Sequence, residues 1–341
     1  MKEKPILGIT MGDASGAGPE LVTMAWSDEA MRSMGRLLCI GDADCMRQAF
    51  QITGVGGEVR AIEDVSQARY QDDTLDVLDL DNVNVDELEF AEVQPMAGKA
   101  AYETIVKAAE LAMAGEIDAI VTAPIHKEAM NLAGYHYDGH TGLLKELTGA
   151  ESVTMMLVAD DFRVTHVSTH CALREAIERV KKERILEVVY LTNETLKQMG
   201  IDDPHIAVAG LNPHAGEGGL FGHEEIEEIA PAIEAALAEG INVYGEPVPP
   251  DTVFYRMAKR GQFDAVVAMY HDQGHIPTKV LAFAKGVNVT LGLPIIRTSV
   301  DHGTVYGKAG KGTADPTSLK RAIEVAVTLV RGRQPDKSGG A

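Results

Sequence analysis

Three histidines stand one to four residues beyond short apolar runs: His170 in STHCAL, His214 in NPHAGEGG and His271 in YHDQGH. Imidazole is the commonest side-chain metal ligand, and three neutral imidazoles that leave coordination positions open describe a catalytic rather than a closed structural metal site. Any one of them reads as a capping loop residue. Three delivered in the same way by three separate runs read as a metal set. The segment GDASGAGPE lies between an apolar run and a helical stretch. A helix start gathers free N–H groups that an anion can accept, so the segment is either an anion turn or a tight turn that merely needs its glycines. Asp251, in PPDTVF, reads as a helix N-cap or as a carboxylate beside a metal ligand, the cap being the simpler. Lys279 and Arg297 flank the run GVNVTLGLPIIRTS and in the simplest reading are solvated surface charges. His126, His140, His275 and His302 also lie in glycine-bearing loops, whereas His136, His166, His205 and His223 read as structural, and Met155 and Met156 as core filling.

Such side chains need elements to hold them. Apolar runs at Ile6 to Thr10, Arg36 to Ile40, Ala119 to Ala123, Thr154 to Val158, Arg163 to Ser168, His205 to Leu211, Ala265 to Met269 and Val287 to Leu291 predict strands. Amphipathic stretches at Pro19 to Trp26, Gly98 to Ala114, Leu173 to Met199, Glu224 to Glu239 and Ser318 to Arg331 predict helices. The alternation is that of a mostly parallel sheet covered by helices, an α/β fold, in which ligands bind beyond the carboxyl ends of the strands. Residues 55–94 suggest small edge strands, and the polar tail from Arg331 is expected to fray.

The 341 residues exceed the size at which one core stops growing, so two domains are expected. Lys and Arg number 31 against 51 Asp and Glu, a formal charge of −20. That argues against nucleic acid and anionic membrane as partners and leaves a small anion dependent on local positive charge. Cys39, Cys45 and Cys171 have no metal spacing and form no disulfide framework. Without a signal-peptide core or a long apolar stretch, the expectation is a soluble cytoplasmic protein.

Taken in order, ITMGDASGAGPE, VTAPIHKEAM, GHTGLLKELTG, THCALREA, LNPHAGEGGLFG, PPDTVF, AMYHDQGHIPTK and GVNVTLGLPIIRTSVDHGT span residues 9–304. In these segments the chain resembles the 4-hydroxythreonine-4-phosphate dehydrogenase family of pyridoxal-phosphate biosynthesis, with its relatives acting on 4-phospho-threonate or 4-phospho-erythronate. The stretch HGTVYGKAGKGTADPTS is similar to the adenosine-binding loop of isocitrate and isopropylmalate dehydrogenases. The resemblance implies two α/β/α domains with a central cleft, residues 1–128 with 285–341 on the nucleotide side and 129–284 for metal, substrate and dimerisation. It also implies a homodimer whose metal site is completed across the subunit interface.

By the same resemblance His170, His214 and His271 match the ligands of one divalent ion, whether zinc, magnesium, manganese or cobalt. His140 and Thr141 match substrate-phosphate contacts; Lys279, Asn288 and Arg297 match further substrate contacts; Asp251 matches an acidic residue beside the metal. His302, Gly303, Thr304 and Asp315 match the hold on NAD or NADP. The implied reaction is oxidation of a phosphorylated 3-hydroxy acid followed by decarboxylation, with Lys279 as base and Asp251 orienting a ligand histidine. Two departures stand out. Ala14 follows Asp13 where the family has proline, and Gly142 replaces the glutamate of GHTE, while HDQGHIPTK is closer to the phospho-threonate branch. The alternatives are oxidation of a carboxylated cyclic dihydrodiol and a binding protein without catalysis.

Overall fold

A computed structural model describes residues 4–282 and 285–333. In chain order, β1 (Ile6–Thr10) leads through α1 (Gly18–Trp26), α2 (Glu29–Met34), β2 (Arg36–Gly41), α3 (Ala43–Thr53), β3 (Glu58–Ile62), β4 (Thr74–Asp79) and α4 (Pro95–Ala114) to β5 (Ala119–Thr122), α5 (Lys127–Leu132) and α6 (His140–Thr148). Next come β6 (Thr154–Ala159), β7 (Phe162–His166), α7 (Leu173–Glu178), α8 (Lys182–Gln198), β8 (Ile206–Val208), α9 (Ala230–Ala238), α10 (Pro250–Arg260), β9 (Ala265–Ala268), α11 (His271–Ala282) and β10 (Val287–Leu291). The chain ends with β11 (Arg297–Val300) and α12 (Thr317–Arg333). Each of the eight expected strands forms.

The described residues fall into two compact units, one within Met1–Val153 and Leu293–Val330 and the other within Thr154–Gly292 and Arg331–Ala341. The expected boundaries, after 128 and after 284, fall earlier. Packing explains the shift: α4 lies against both α5 and α6, and Leu143 and Leu144 of α6 join the core of Ile40, Ile105 and Ile120. Gly98 makes the approach possible, since a Cβ there would come within 2.1 Å of the Ala129 carbonyl. His140 and Thr141 therefore belong to the first unit and Asn288 to the second.

In the first unit the strands run β3-β4-β2-β1-β5-β11, with every neighbouring pair parallel. Strands β1, β2, β5 and β11 are buried almost throughout, as strands covered on both faces must be. In the second unit the order is β10-β6-β7-β9-β8 and the sheet is mixed. β7–β9 and β8–β9 are parallel, but β10–β6 and β6–β7 are antiparallel. The β6–β7 reversal needs only Asp160 and Asp161, and Asp160 takes φ 53°, the left-handed conformation that tight hairpins require. A separate core of Val164, Ala207, Val253, Phe263 and Val266 fills this unit.

Two long helical stretches are interrupted. Between α7 and α8, Val180 is buried and Lys181 extended, and Glu228 accepts from the Lys182 N–H at 2.8 Å, starting α8 anew. The stretch from Glu224 opens with a π-turn at Glu225–Ile229 before α9. Arg331 to Arg333 continue α12 rather than fraying, and the rest of the tail lies outside the described residues. No helix among the described residues is long and apolar enough to cross a membrane.

Candidate active site

Arg297 opens β11 opposite Ile120 of β5 and is 2 % exposed, not the surface charge that its flanking position suggests. Its Nε and Nη2 donate to Thr122 Oγ1 at 3.2 and 2.7 Å, and burial lowers its pKa to about 9. His140 begins α6 after Gly139, whose φ of 135° suits glycine. Its Nε2 is buried without a hydrogen-bond partner. Burial first, and then the charges of Arg297 and Lys127, push the imidazole well below its ordinary pKa, so it is neutral at pH 7. Lys127, in PIHKE after β5, belongs to this group, and no pattern in the sequence singles it out. Its Cε lies 3.4 Å from where a Cβ on Gly139 would stand. Thr141 follows in the first turn of α6, half-buried. A nine-residue helix start, two cations and an uncommitted buried ring nitrogen are groups that can bind a compact dianion. Gly142, also in this turn, faces open space, and a Cβ there would meet no atom within 4 Å.

In the second unit, His170 follows β7 and His271 begins α11 rather than lying in a loop. Their ring centroids are 5.7 Å apart. Two imidazoles on one ion at about 2.1 Å per nitrogen put their rings roughly this far apart, so the pair fits a shared cation. Asp272 Oδ1 lies 2.7 Å from His271 Nδ1, which leaves Nε2 for a ligand in the usual carboxylate–histidine manner. Gln273 accepts from Met269 N–H and donates to the Gly210 carbonyl at 2.8 Å, tying the start of α11 to the strand end that leads to His214. His214 itself is exposed and left-handed, in a run with Ala215, Gly216, Glu217 and Gly218. The buried Glu225 carboxylate shapes this loop by accepting from the Leu211 and Asn212 N–H groups at 2.8 and 2.7 Å. Among the described residues no three His, Cys, Asp or Glu side chains are assembled into a metal group. One chain thus brings together His170 and His271 but does not complete the trio.

A layer of histidine supports the pair. His275, in α11 rather than a loop, stacks on His271 at 3.6 Å, and His166 packs on His275 at 4.7 Å. His166 reads as structural and is fully buried; burial, then the nearby His275, lower its pKa to about 3. Lys279 falls on the face of α11 that carries His271 and His275, at four-residue spacing. Asn288 donates to Met155 Sδ, and its Oδ1 is buried without a partner. Asp251 lies in the first turn of α10, where Pro249 takes the cap position, so it is no N-cap and stays exposed in the single chain. An open depression of about 330 Å³ is lined by His170, Cys171, Leu173, Tyr270 and His271.

In the segment GDASGAGPE four amides are already committed within the protein. Asp13 N–H goes to Pro124 O, Ser15 N–H to Asp13 Oδ1, Gly16 N–H to Asp13 O and Ala17 N–H to Thr304 O, all at 2.8–3.1 Å. These bonds favour the tight turn, and the turn grips the loop carrying His302, Gly303 and Thr304. Tyr306 Oη also donates to the buried Asp13 at 3.1 Å and stacks on His126. Burial raises the Asp13 pKa. Asp315 accepts from Thr317 N–H and Oγ1, bonds that lower its pKa and fix the start of α12. An ionised, exposed carboxylate at the end of a glycine-bearing turn suits ribose hydroxyls.

The family described as pyridoxal phosphate biosynthetic protein PdxA matches residues 33–326. A D-threonate 4-phosphate dehydrogenase of Cupriavidus necator is 47% identical over 330 residues, 96% of this chain and 98% of that protein. The crystal structure of a 4-hydroxythreonine-4-phosphate dehydrogenase from Burkholderia phymatum superposes with a TM-score of 0.84 at 48% identity, covering 96% of this chain and 99% of that one. The fold alone extends to a β-decarboxylating dehydrogenase of Thermococcus kodakarensis, at TM-score 0.50 and 13% identity over 94% of this chain and 81% of that one. The protein belongs to the pyridoxal phosphate biosynthetic protein PdxA family.

Proposed function

We propose that the protein is a cytoplasmic, NAD- or NADP-dependent dehydrogenase that oxidises and decarboxylates a phosphorylated four-carbon hydroxy acid of the 4-phospho-threonate or 4-phospho-erythronate kind. The observation that carries this reading is the buried, partnerless Nε2 of His140 set beside Arg297 and Lys127. An acidic protein that concentrates two cations and an open ring nitrogen at a helix start is equipped for a phosphate.

His140, Thr141 and Arg297 hold the phosphate, and Asn288 Oδ1 takes a substrate hydroxyl. His170, His214 and His271 would hold the divalent ion, which would lower the pKa of the reacting hydroxyl. His302, Gly303, Thr304 and Asp315 would hold the dinucleotide, which would supply the hydride acceptor. Asp272 keeps the Nδ1 proton of His271 and so presents Nε2. Lys279 removes the carbinol proton, and Asp251 orients a ligand histidine. Oxidation at C3 yields a β-keto acid, which loses carbon dioxide; 4-phospho-threonate ends as dihydroxyacetone phosphate, the amino analogue as an aminoacetone phosphate. The absence of a carboxylate at Gly142, where nothing in the packing demands glycine, favours the substrate without an amino group.

The working enzyme in this reading is a homodimer. Leu173 and Ile177 of α7 and Ile276 and Val280 of α11 are exposed apolar pairs at four-residue spacing on the helices that follow His170 and His271. A second copy would cover them and complete the metal set.

Arg297→Lys tests the phosphate role. Lysine keeps the charge and loses the fork, so KM for the phosphorylated acid should rise at least tenfold while kcat changes little. An unchanged KM would remove Arg297 from the site.

A further inference from the structure

Glu20 is 1 % exposed and lies in the first turn of α1, within GDASGAGPE. Both of its oxygens are committed to one distant loop: Oε1 accepts from the Gly310 N–H at 2.6 Å and Oε2 from the Gly312 N–H at 2.7 Å. Gly310 and Gly312 are both left-handed, at φ 73° and 63°. Glycine permits that shape, and the buried carboxylate draws the two amides to one point. The same segment touches the loop twice more. Ala17 N–H donates to the Thr304 carbonyl at 2.9 Å, and Gly16 sits so close that a Cβ would meet that oxygen at 2.9 Å. Phe90 closes the far side, in contact with Gly310.

We infer that Glu20 is a positioning residue for dinucleotide binding: its carboxylate folds the 302–312 loop from behind and so presents His302, Gly303 and Thr304 in the geometry that NAD or NADP needs. The inference rests on the reading of this loop as the nucleotide hold. A hydrogen bond to a charged acceptor is stronger than a neutral one, and two of them on adjacent turns fix a loop that glycine would otherwise leave loose. Replacing the carboxylate by an amide turns one acceptor into a donor facing an N–H, so one bond is lost and two donors are set against each other.

The test is calorimetric titration of the full-length protein with NAD, NADP and inorganic phosphate, in the wild type and in Glu20→Gln, Gly16→Ala and His302→Ala. Gly16→Ala presses on Thr304 without changing any charge and serves if the amide variant folds poorly. The expected result is a Kd for the preferred dinucleotide at least tenfold weaker in Glu20→Gln and in Gly16→Ala, with the phosphate Kd within twofold of wild type. A purely structural role would lower the melting temperature and leave the folded protein's dinucleotide Kd unchanged, which would overturn the inference. If His302→Ala weakens dinucleotide binding and neither of the other variants does, the loop reading stands and the role of Glu20 falls. If His302→Ala leaves the Kd unchanged, the loop reading itself fails and takes the inference with it.

Discussion

Arg297 shows how far a side chain's neighbours in sequence can mislead about its surroundings. Beside LGLPII it reads as the charged edge of an apolar run, yet it begins a four-residue strand against β5 and is inside the protein. Lys127 carries no signal beyond its place after β5, and only the fold sets it beside Gly139 and His140. His166 makes the opposite point, since the structural role expected of it has a measurable consequence. Its imidazole is held near pKa 3, against an ordinary 6.5, so on acidification the unfolded chain takes up the proton first. Stability is therefore full above about pH 6.5 and is lost as pH falls toward 3, at about 1.4 kcal/mol per pH unit. Between pH 7 and pH 5 this one residue should cost about 2 kcal/mol. Urea unfolding of the wild type and of His166→Phe at the two pH values checks it: the variant should lose that much less, and equal losses would contradict the buried neutral state.

At the scale of elements, the strand ends were legible because buried parallel strands are short, apolar and followed by loops that carry chemistry. His170 and His271 emerged from that pattern and are near neighbours. Less was legible where a partner distant in sequence decides the local shape. Glu228 starts α8 and breaks one long helix, Glu225 turns the His214 loop, and Glu20 folds residues 302–312. In each case a buried or half-buried carboxylate takes one or two backbone amides, and no periodicity in the segment it holds announces it. The same holds for α11, which begins at His271 and continues through Pro277, so that His271, His275 and Lys279 share a face that a loop would not provide. Gly274 is what lets α11 lie on β7, because a Cβ there would stand 2.4 Å from His166 Nε2 and 2.7 Å from Val164. Gly274→Ala should destabilise the protein by about 1–3 kcal/mol through overpacking. It should also weaken binding of zinc or manganese, measured by calorimetry, through the displaced His275–His271 stack. Wild-type stability and metal affinity together would mean that the helix seats itself without this glycine.

For the molecule as a whole, the formal charge of −20 describes the solvated surface and conceals the His140, Lys127 and Arg297 cluster. The exposed apolar faces of α7 and α11 predict a dimer. Light scattering on the eluting protein should give about twice the chain mass of 36.5 kDa, and Val280→Glu, at a position 79 % exposed in the single chain, should shift the equilibrium toward the monomer. A wild type that stays monomeric at micromolar concentration would leave the incomplete metal set unexplained. The central claim concerns the substrate, and one measurement addresses it directly. Initial rates of NAD and NADP reduction are compared for 4-phospho-threonate, 4-phospho-erythronate, 4-phosphohydroxy-L-threonine and a carboxylated cyclic dihydrodiol, each with and without chelator. A phosphorylated hydroxy acid lacking the amino group should turn over at least tenfold faster than the amino analogue, and chelation should abolish the reaction. Turnover confined to the unphosphorylated dihydrodiol, or undiminished by chelator, would contradict the claim.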